Sequence, residues 1–319
     1  MLRIALEKVR ASYFLIELKY FSEGNSMKHI STALALSAML ATPAFAFDQG
    51  HHAEGAHGHK AVADKVIAAQ REELAKNTEG KGFGPQSPRD IDHAAGNNKR
   101  IFSTAPAYTR MNLCNIHFHK NAEHKGGEFT IYAGNGNGEG YQSGYRADIS
   151  HYSHAELKPT RHDICPSSHS HLVPGDTIEV HYVHTTAQVK PGPTLGSCLN
   201  DAIGNPQLRV ETQVYTVVND KHAADFMELT KYKKIGAYYQ ATHIPNNTGT
   251  PISYEGSTTG PGYNEKGSPF QVSWSVRPQV MKVNIETVGE WCKGNDFKED
   301  HAHGVRNLVK NPDLLSKIK

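Results

Sequence analysis

Alternation of apolar and polar positions dominates the chain. Along Asn115-Ile-His-Phe-His-Lys-Asn-Ala-Glu-His124, Ile116 and Phe118 alternate with His117 and His119. Side chains two apart on a strand share a face, so the two imidazoles are expected on one side and their apolar neighbours in a core on the other. The segment from Ile101 leads into this strand, and Phe129–Tyr132 reads as another, closed by the Gly/Asn turn at 134–138. Thr177–Thr186 and Leu208–Val218 are rich in β-branched and aromatic residues, and Phe270–Arg277 and Val280–Val288 also read as strands. Helical spacing runs through Val62, Val66, Ile67 and Leu74 within Ala61–Lys76, ended by Gly80, Gly82 and Gly84-Pro85. A second, short helix is expected within Asp225–Lys234. Residues 141–172 are polar, histidine-dense and without a period, and 245–269 are rich in glycine, proline, serine and threonine, so both are expected to be loop. Lys293–His303 is charged and expected to be exposed. No repeat is visible. The class is mainly β, with a few short helices and long loops.

The front of the chain reads differently. Met27–Ala46 has a positive start, a short apolar run and a small-x-small end at Ala44-Phe-Ala46, the form of a secretory signal peptide cleaved before Phe47. The run is too short to span a membrane. An internal export signal is odd, so residues 1–26 read as a spurious extension ahead of a true start at Met27, and 47–60, with His51, His52, His57 and His59, as a flexible leader. The domain proper is 61–319. Residues 1–46 hold five of the 34 basic and three of the 32 acidic residues, which leaves equal numbers of each sign behind them. That balance gives no reason to expect nucleic acid or a membrane surface as partner. Export to a periplasm or outside the cell makes the four cysteines, Cys114, Cys165, Cys198 and Cys292, two disulfides. Three pairings satisfy the count; Cys165–Cys198 with Cys114–Cys292 is the expectation carried forward.

Two histidines on one strand face need a third ligand to hold a metal. Glu123 shares the parity of His119, and His124 has the opposite parity. The strand 177–186 offers His181 and His184, which also differ in parity, so one of them can face the ion. Glu179 shares the face of His181 and would orient its imidazole, as carboxylates commonly do for metal-bound histidines, which favours His181.

His117-Phe-His119 with Glu123-His124 resembles the His-x-His…Glu-His segment of α-type carbonic anhydrases. Glu179-Val-His181-Tyr-Val183-His184 is similar to that family's Glu-x-His-x-Val-His strand. Gln86-Ser87-Pro88, Tyr254-Glu-Gly-Ser-Thr-Thr-Gly-Pro261 and Val272-Ser-Trp274 agree with three further motifs, all in family order. The long separation of His119 from His181, filled largely by 141–172, departs from the α type. Gly84-Pro-Gln-Ser-Pro-Arg-Asp-Ile-Asp92 and Asn115-x-His-x-His-x-x-x-Glu-His124 look most like the δ class. The resemblance implies a central antiparallel or mixed sheet and reversible hydration of carbon dioxide to bicarbonate and a proton. His117, His119 and His181 would hold one zinc ion, replaceable by Co2+ or Cd2+, and the metal would ionise a water into the attacking hydroxide.

Further roles follow from the same resemblance. Asn115 and Glu179 would support the ligands, Thr259 (or Thr258) would bond both the nucleophile and Glu123, and Val183 and Trp274 would line the substrate pocket. His124, Tyr254 and Ser87 would be structural, and His93 stands roughly where a proton-transfer histidine is placed. Gly260 stands where many α-type enzymes have a second threonine. Two rival readings remain. In a cupin-like metalloenzyme Glu123 would itself be a ligand, although Thr130 stands where that motif wants glycine. A non-catalytic periplasmic zinc-binding protein is suggested by the histidine content, 20 residues in all.

Overall fold

Five strands form the central sheet of the computed structural model: β1 (Asn112–Lys120), β4 (Thr177–Thr185), β5 (Leu208–Val218), β9 (Gln271–Asn284) and β8 (Ile252–Ser257), in the spatial order β1-β4-β5-β9-β8. The structure describes residues 60–318, so the segments read as 1–26, 27–46 and nearly all of 47–60 lie outside the described residues. Neighbours are antiparallel except β5 and β9, which run parallel. A parallel pair needs a long crossover. Here it carries α2 (Phe226–Leu229), the hairpin β6 (Tyr232–Ile235) and β7 (Tyr238–Ala241), and β8 itself. Two short strands, β2 (Ile131–Tyr132) and β3 (Tyr145–Arg146), pair separately.

The sheet separates two apolar clusters. On one face Ile116, Phe118, Val180, Tyr182, Tyr215 and Val217 pack under Val288 and Trp291 of α3 (Ile285–Lys293). On the other lie Val183, Val210, Val214, Val272, Trp274 and Val276. The register of β1 shifts between Leu113 and Asn115. That irregularity lets Leu113 join Ile116 and Phe118 while Cys114 joins the opposite cluster. The N-terminal helix α1 (Asp64–Thr78) buries Ile67 and Leu74, two of the positions whose spacing predicted it.

Several expectations are corrected. The disulfides are Cys114–Cys198 and Cys165–Cys292, the opposite choice of partners for Cys114 and Cys165. The loop expected over 245–269 contains β8, whose six residues all pair with β9. The two strands expected at 270–277 and 280–288 are one, because Pro278, which cannot donate to a ladder, falls at the register shift between Thr212 and Val214 of β5. That strand stops at Asn284, whose side chain accepts from the Glu286 N–H and caps α3. The expected Asp225–Lys234 helix is the four-residue α2 followed by β6. Within 293–303, Phe297, Glu299 and Ala302 are buried rather than exposed. Among the described residues no helix is long and apolar enough to cross a membrane.

Candidate metal centre and active site

His117 and His181 are direct cross-strand partners, and His119 stands opposite Glu179. Strand period and antiparallel register thus place three imidazoles on one face, and their ligand atoms lie within 4.8 Å of one another. Each ring has one nitrogen already committed. His117 Nδ1–H donates to Asn115 Oδ1 at 2.6 Å, His119 Nδ1–H to the Gly304 carbonyl at 2.9 Å, and His181 Nε2–H to Glu179 Oε1 at 2.6 Å. These bonds fix the neutral tautomers, leaving lone pairs on His117 Nε2, His119 Nε2 and His181 Nδ1. His119 Nε2 is buried without a partner. His117 Nε2 and His181 Nδ1 face each other at 3.2 Å, two lone pairs with no proton to share in these tautomers. Nitrogens each 2.0–2.1 Å from a tetrahedral zinc stand about 3.3 Å apart. The donor set, the spacing and the orphaned nitrogen all fit such an ion.

The electrostatics agree. Burial, reinforced by the neighbouring imidazoles, holds His117 well below the ordinary histidine range. Burial likewise pushes His119 down to about 4 against the attraction of Glu123. Both rings therefore stay neutral, the form that can donate to a metal. Glu179 is held well below the usual carboxylate range: burial alone would raise it, but His124 and His181 outweigh that. Its Oε1 also takes a bond from His124 Nδ1 at 2.7 Å, and its Oε2 one from the His124 N–H at 3.1 Å. His124, Glu179 and His181 form a second close cluster, but hydrogen bonds already account for it. His124 Nε2 lies 2.7 Å from the Tyr254 hydroxyl, which lies 3.0 Å from Ser87 Oγ, so the three residues expected to be structural form one buried chain.

A cavity of about 240 Å³ opens over the imidazoles. Val183, Leu195, Leu208, Val210, Val272 and Trp274 line its apolar side, and Thr258, Thr259, Tyr141, Glu299 and His303 lie among its polar residues. Trp274 donates to the Ser257 carbonyl at 3.0 Å, and its ring centre lies 5.0 Å from that of His181. Glu123 is buried, with Oε1 accepting from the Arg306 N–H at 2.8 Å and Oε2 without a partner. It sits 3.9 Å from Nδ1 of His119, the nitrogen turned away from the cluster, so it does not join the ligand group. The expected bond from Thr259 to Glu123 is not formed here. Thr258 is bonded to Ser268. His184 is buried but outside the cluster, with Nδ1 on the Tyr182 carbonyl. His93 is exposed and does not line the cavity.

Residues 299–306 were missed. This strap bridges to His119 at His303. His303 Nε2 lies 2.5 Å from Glu299 Oε2. Burial opposes charge on that ring, but the carboxylate raises it above the ordinary range. Arg306, fully buried and pushed down to about 10 by that burial, donates to the carbonyls of Ser87, Tyr263 and Lys266. It locks the 257–268 loop to the Gln86-Ser87 segment. The available signal was His301-x-His303, which repeats the spacing of His117-x-His119.

No curated protein matches the sequence. Three solved structures that it resembles are carbonic anhydrases, each covering about three quarters of this chain. The α-carbonic anhydrase of Thermovibrio ammonificans, solved with sulfanilamide, is 15% identical over 75% of this chain and 89% of its own, with a TM-score of 0.28. A hyperthermostable carbonic anhydrase from an active hydrothermal vent chimney is 17% identical over 75% and 90%, with a TM-score of 0.26. One from Chlamydomonas reinhardtii, bound to acetazolamide, is 14% identical over 73% and 90%, with a TM-score of 0.25. Superpositions at these scores carry no argument about the site. The sequence family does: the description "Delta carbonic anhydrase" matches residues 108–287, from just before β1 to the first turn of α3. With more than half the sequence matched, both histidine-bearing strands included, the chain belongs to the delta carbonic anhydrase family.

Proposed function

We propose that this protein hydrates carbon dioxide reversibly to bicarbonate and a proton, using zinc held by His117, His119 and His181. The observation that carries the reading is the convergence of three imidazoles, each with one nitrogen hydrogen-bonded outward and the other turned toward the shared cluster. Bound zinc supplies Lewis acidity that makes a water nucleophilic near neutral pH. The chain's own residues do the rest. Asn115, Glu179 and the Gly304 carbonyl set the ring orientations. Val183, Val210 and Trp274 form an apolar wall suited to a small uncharged substrate and hostile to bulk water. Thr259 lines that cavity and Glu123 does not; we assign Glu123, buried with Oε2 unpartnered, as the acceptor toward which the Thr259 hydroxyl must turn for catalysis. Two disulfides suit an oxidising compartment, and we place the protein outside the cytoplasm.

The test is stopped-flow carbon dioxide hydration by zinc-loaded protein expressed from Met27. Activity should vanish on chelation, return with zinc and be absent from His181→Ala. Folded, zinc-loaded protein without hydration activity overturns the proposal.

A further inference from the structure

The connection between β4 and β5 is joined to β1 through Asn112, whose Nδ2 donates to the Ala187 carbonyl at 2.9 Å, and, immediately beside the candidate metal centre, through Cys114 and Asn115. Cys198 is disulfide-bonded to Cys114. The Gly192 N–H donates to the Cys114 carbonyl at 3.0 Å, and Asn115 Nδ2 donates to the Gly192 carbonyl at 3.0 Å. Cys114, Asn115 and Cys198 are all buried. The Asn115 amide is therefore held at both ends: its nitrogen by the turn, its oxygen by His117 Nδ1 at 2.6 Å. Rotation of that amide about its last torsion would break both bonds together.

The turn itself is under constraint. Thr194 has φ +57° and ψ 170°, a conformation that β-branched residues rarely adopt, and it persists only where the surroundings impose it. Thr194 Oγ1 accepts from the Gly196 N–H at 3.2 Å, and Thr185 Oγ1 donates to the Cys198 carbonyl at 2.8 Å. Thr194 and Leu195 both line the cavity. The other disulfide has none of these connections. Cys165–Cys292 joins the 141–172 segment to α3, and both its sulfurs belong to the cluster on the opposite face of the sheet.

We infer that the disulfide-tethered turn Gly192–Cys198 is a positioning element of the metal centre, acting through Asn115 on His117. The Cys114–Cys198 bond holds the Gly192 carbonyl where it fixes the Asn115 amide, and that amide aims His117 Nε2 at the other two imidazoles. The inference rests on the zinc-site reading above and concerns metal affinity, which is measured without any turnover.

Zinc dissociation constants are to be measured by competition with a chromophoric chelator. The full chain is compared with Cys114→Ala/Cys198→Ala, Cys165→Ala/Cys292→Ala, Asn115→Ala and the Asn115→Ala/Cys114→Ala/Cys198→Ala combination. A further variant with two glycines inserted after Pro193 keeps both disulfides and loosens only the turn. Loss of a partner of a metal-bound histidine weakens binding about 10- to 100-fold. That loss is expected for the Cys114/Cys198 pair, for Asn115→Ala and for the insertion. The combined variant should lose no more than Asn115→Ala alone, since sites acting through one group are not additive. The Cys165/Cys292 pair should stay within about twofold of the intact chain, against the same reference range. If the Cys114/Cys198 variant does not fold, the insertion decides. An unchanged constant in the insertion, full additivity with Asn115→Ala, or equal losses from both cysteine pairs overturns the inference alone. Intact protein without tight zinc overturns it together with the reading on which it rests.

Discussion

His181 and His184 stand three residues apart on β4, and each is at most 1% exposed, yet they belong to different regions of the molecule. His181 faces His117 across the ladder and has a carboxylate on its second nitrogen. His184 faces the other way, with a backbone carbonyl on Nδ1, the Tyr108 ring 5.3 Å from its own, and Nε2 buried without a partner. Burial is common to His181 and His184, and an unpartnered buried nitrogen is common to His184 and the candidate ligand His119, so neither property by itself tells a ligand from a histidine of the opposite layer. What separates them is convergence, two further lone pairs aimed at the same point, together with a carboxylate that strengthens the ring as a donor.

The comparison can be broken most forcefully at the two histidines themselves. His181→Ala should remove tight zinc and reduce hydration to background, whereas His184→Ala should still bind one zinc per folded chain. Metal analysis after gel filtration, beside stopped-flow assays, distinguishes them. Next in size is the opposite face. Trp291→Ala, beneath the sheet and remote from the cavity, should cost about 3–5 kcal/mol in urea unfolding while leaving zinc stoichiometry intact. Glu179→Gln tests the carboxylate: zinc should bind about 10- to 100-fold more weakly by chelator competition, with the ligands still present. The last test reads a slope, small over any single pH unit. Burial pushes His184 down to about 3, so the unfolded chain takes up a proton that the folded chain refuses between roughly pH 6.5 and 3. Stability from this group is complete above the unfolded value and falls as the pH drops through that window, by up to about 1.4 kcal/mol per pH unit. In His184→Gln the pH dependence of unfolding should flatten by that amount.

The readable parts of the chain were those whose information is local. Alternation in β1, β4 and β5 gave the strands and put His117 and His119 on one face, because a period of two fixes side-chain direction without reference to the rest of the fold, whereas His181 was separated from His184 only by Glu179 beside it and by the family resemblance; the three rings do converge. β8 was hidden because its glycine- and serine-containing sequence has little preference of its own; pairing with β9 makes it a strand. The start of α3 was read as strand although Ile285, Val288 and Cys292 lie three and four apart, and all are buried on one side of the helix. The pairing of cysteines depends on which segments meet in space, which their number does not encode. Residues 299–306 went unread for a different reason. Two of their main contacts with the site, the Gly304 carbonyl on His119 and the Arg306 N–H on Glu123, come from the backbone and so leave no side-chain signature. Thr259 illustrates a limit of motif order: its place on the cavity follows, but a bond to Glu123 does not.

The strap also sets when the site can exist. The bond from His119 to Gly304 spans 185 residues, that from Glu123 to Arg306 spans 183, and that from Arg306 to Ser87 spans 219. A chain emerging from the ribosome has all three imidazoles in hand by residue 181, but the tautomer of His119 and the seat of Glu123 await residues 304 and 306. Contacts of such separation form late and slowly. Chains that stop short of residue 304 would therefore carry the three imidazoles without the bonds that orient His119 and seat Glu123, so the geometry of the candidate site is completed only by the end of the domain.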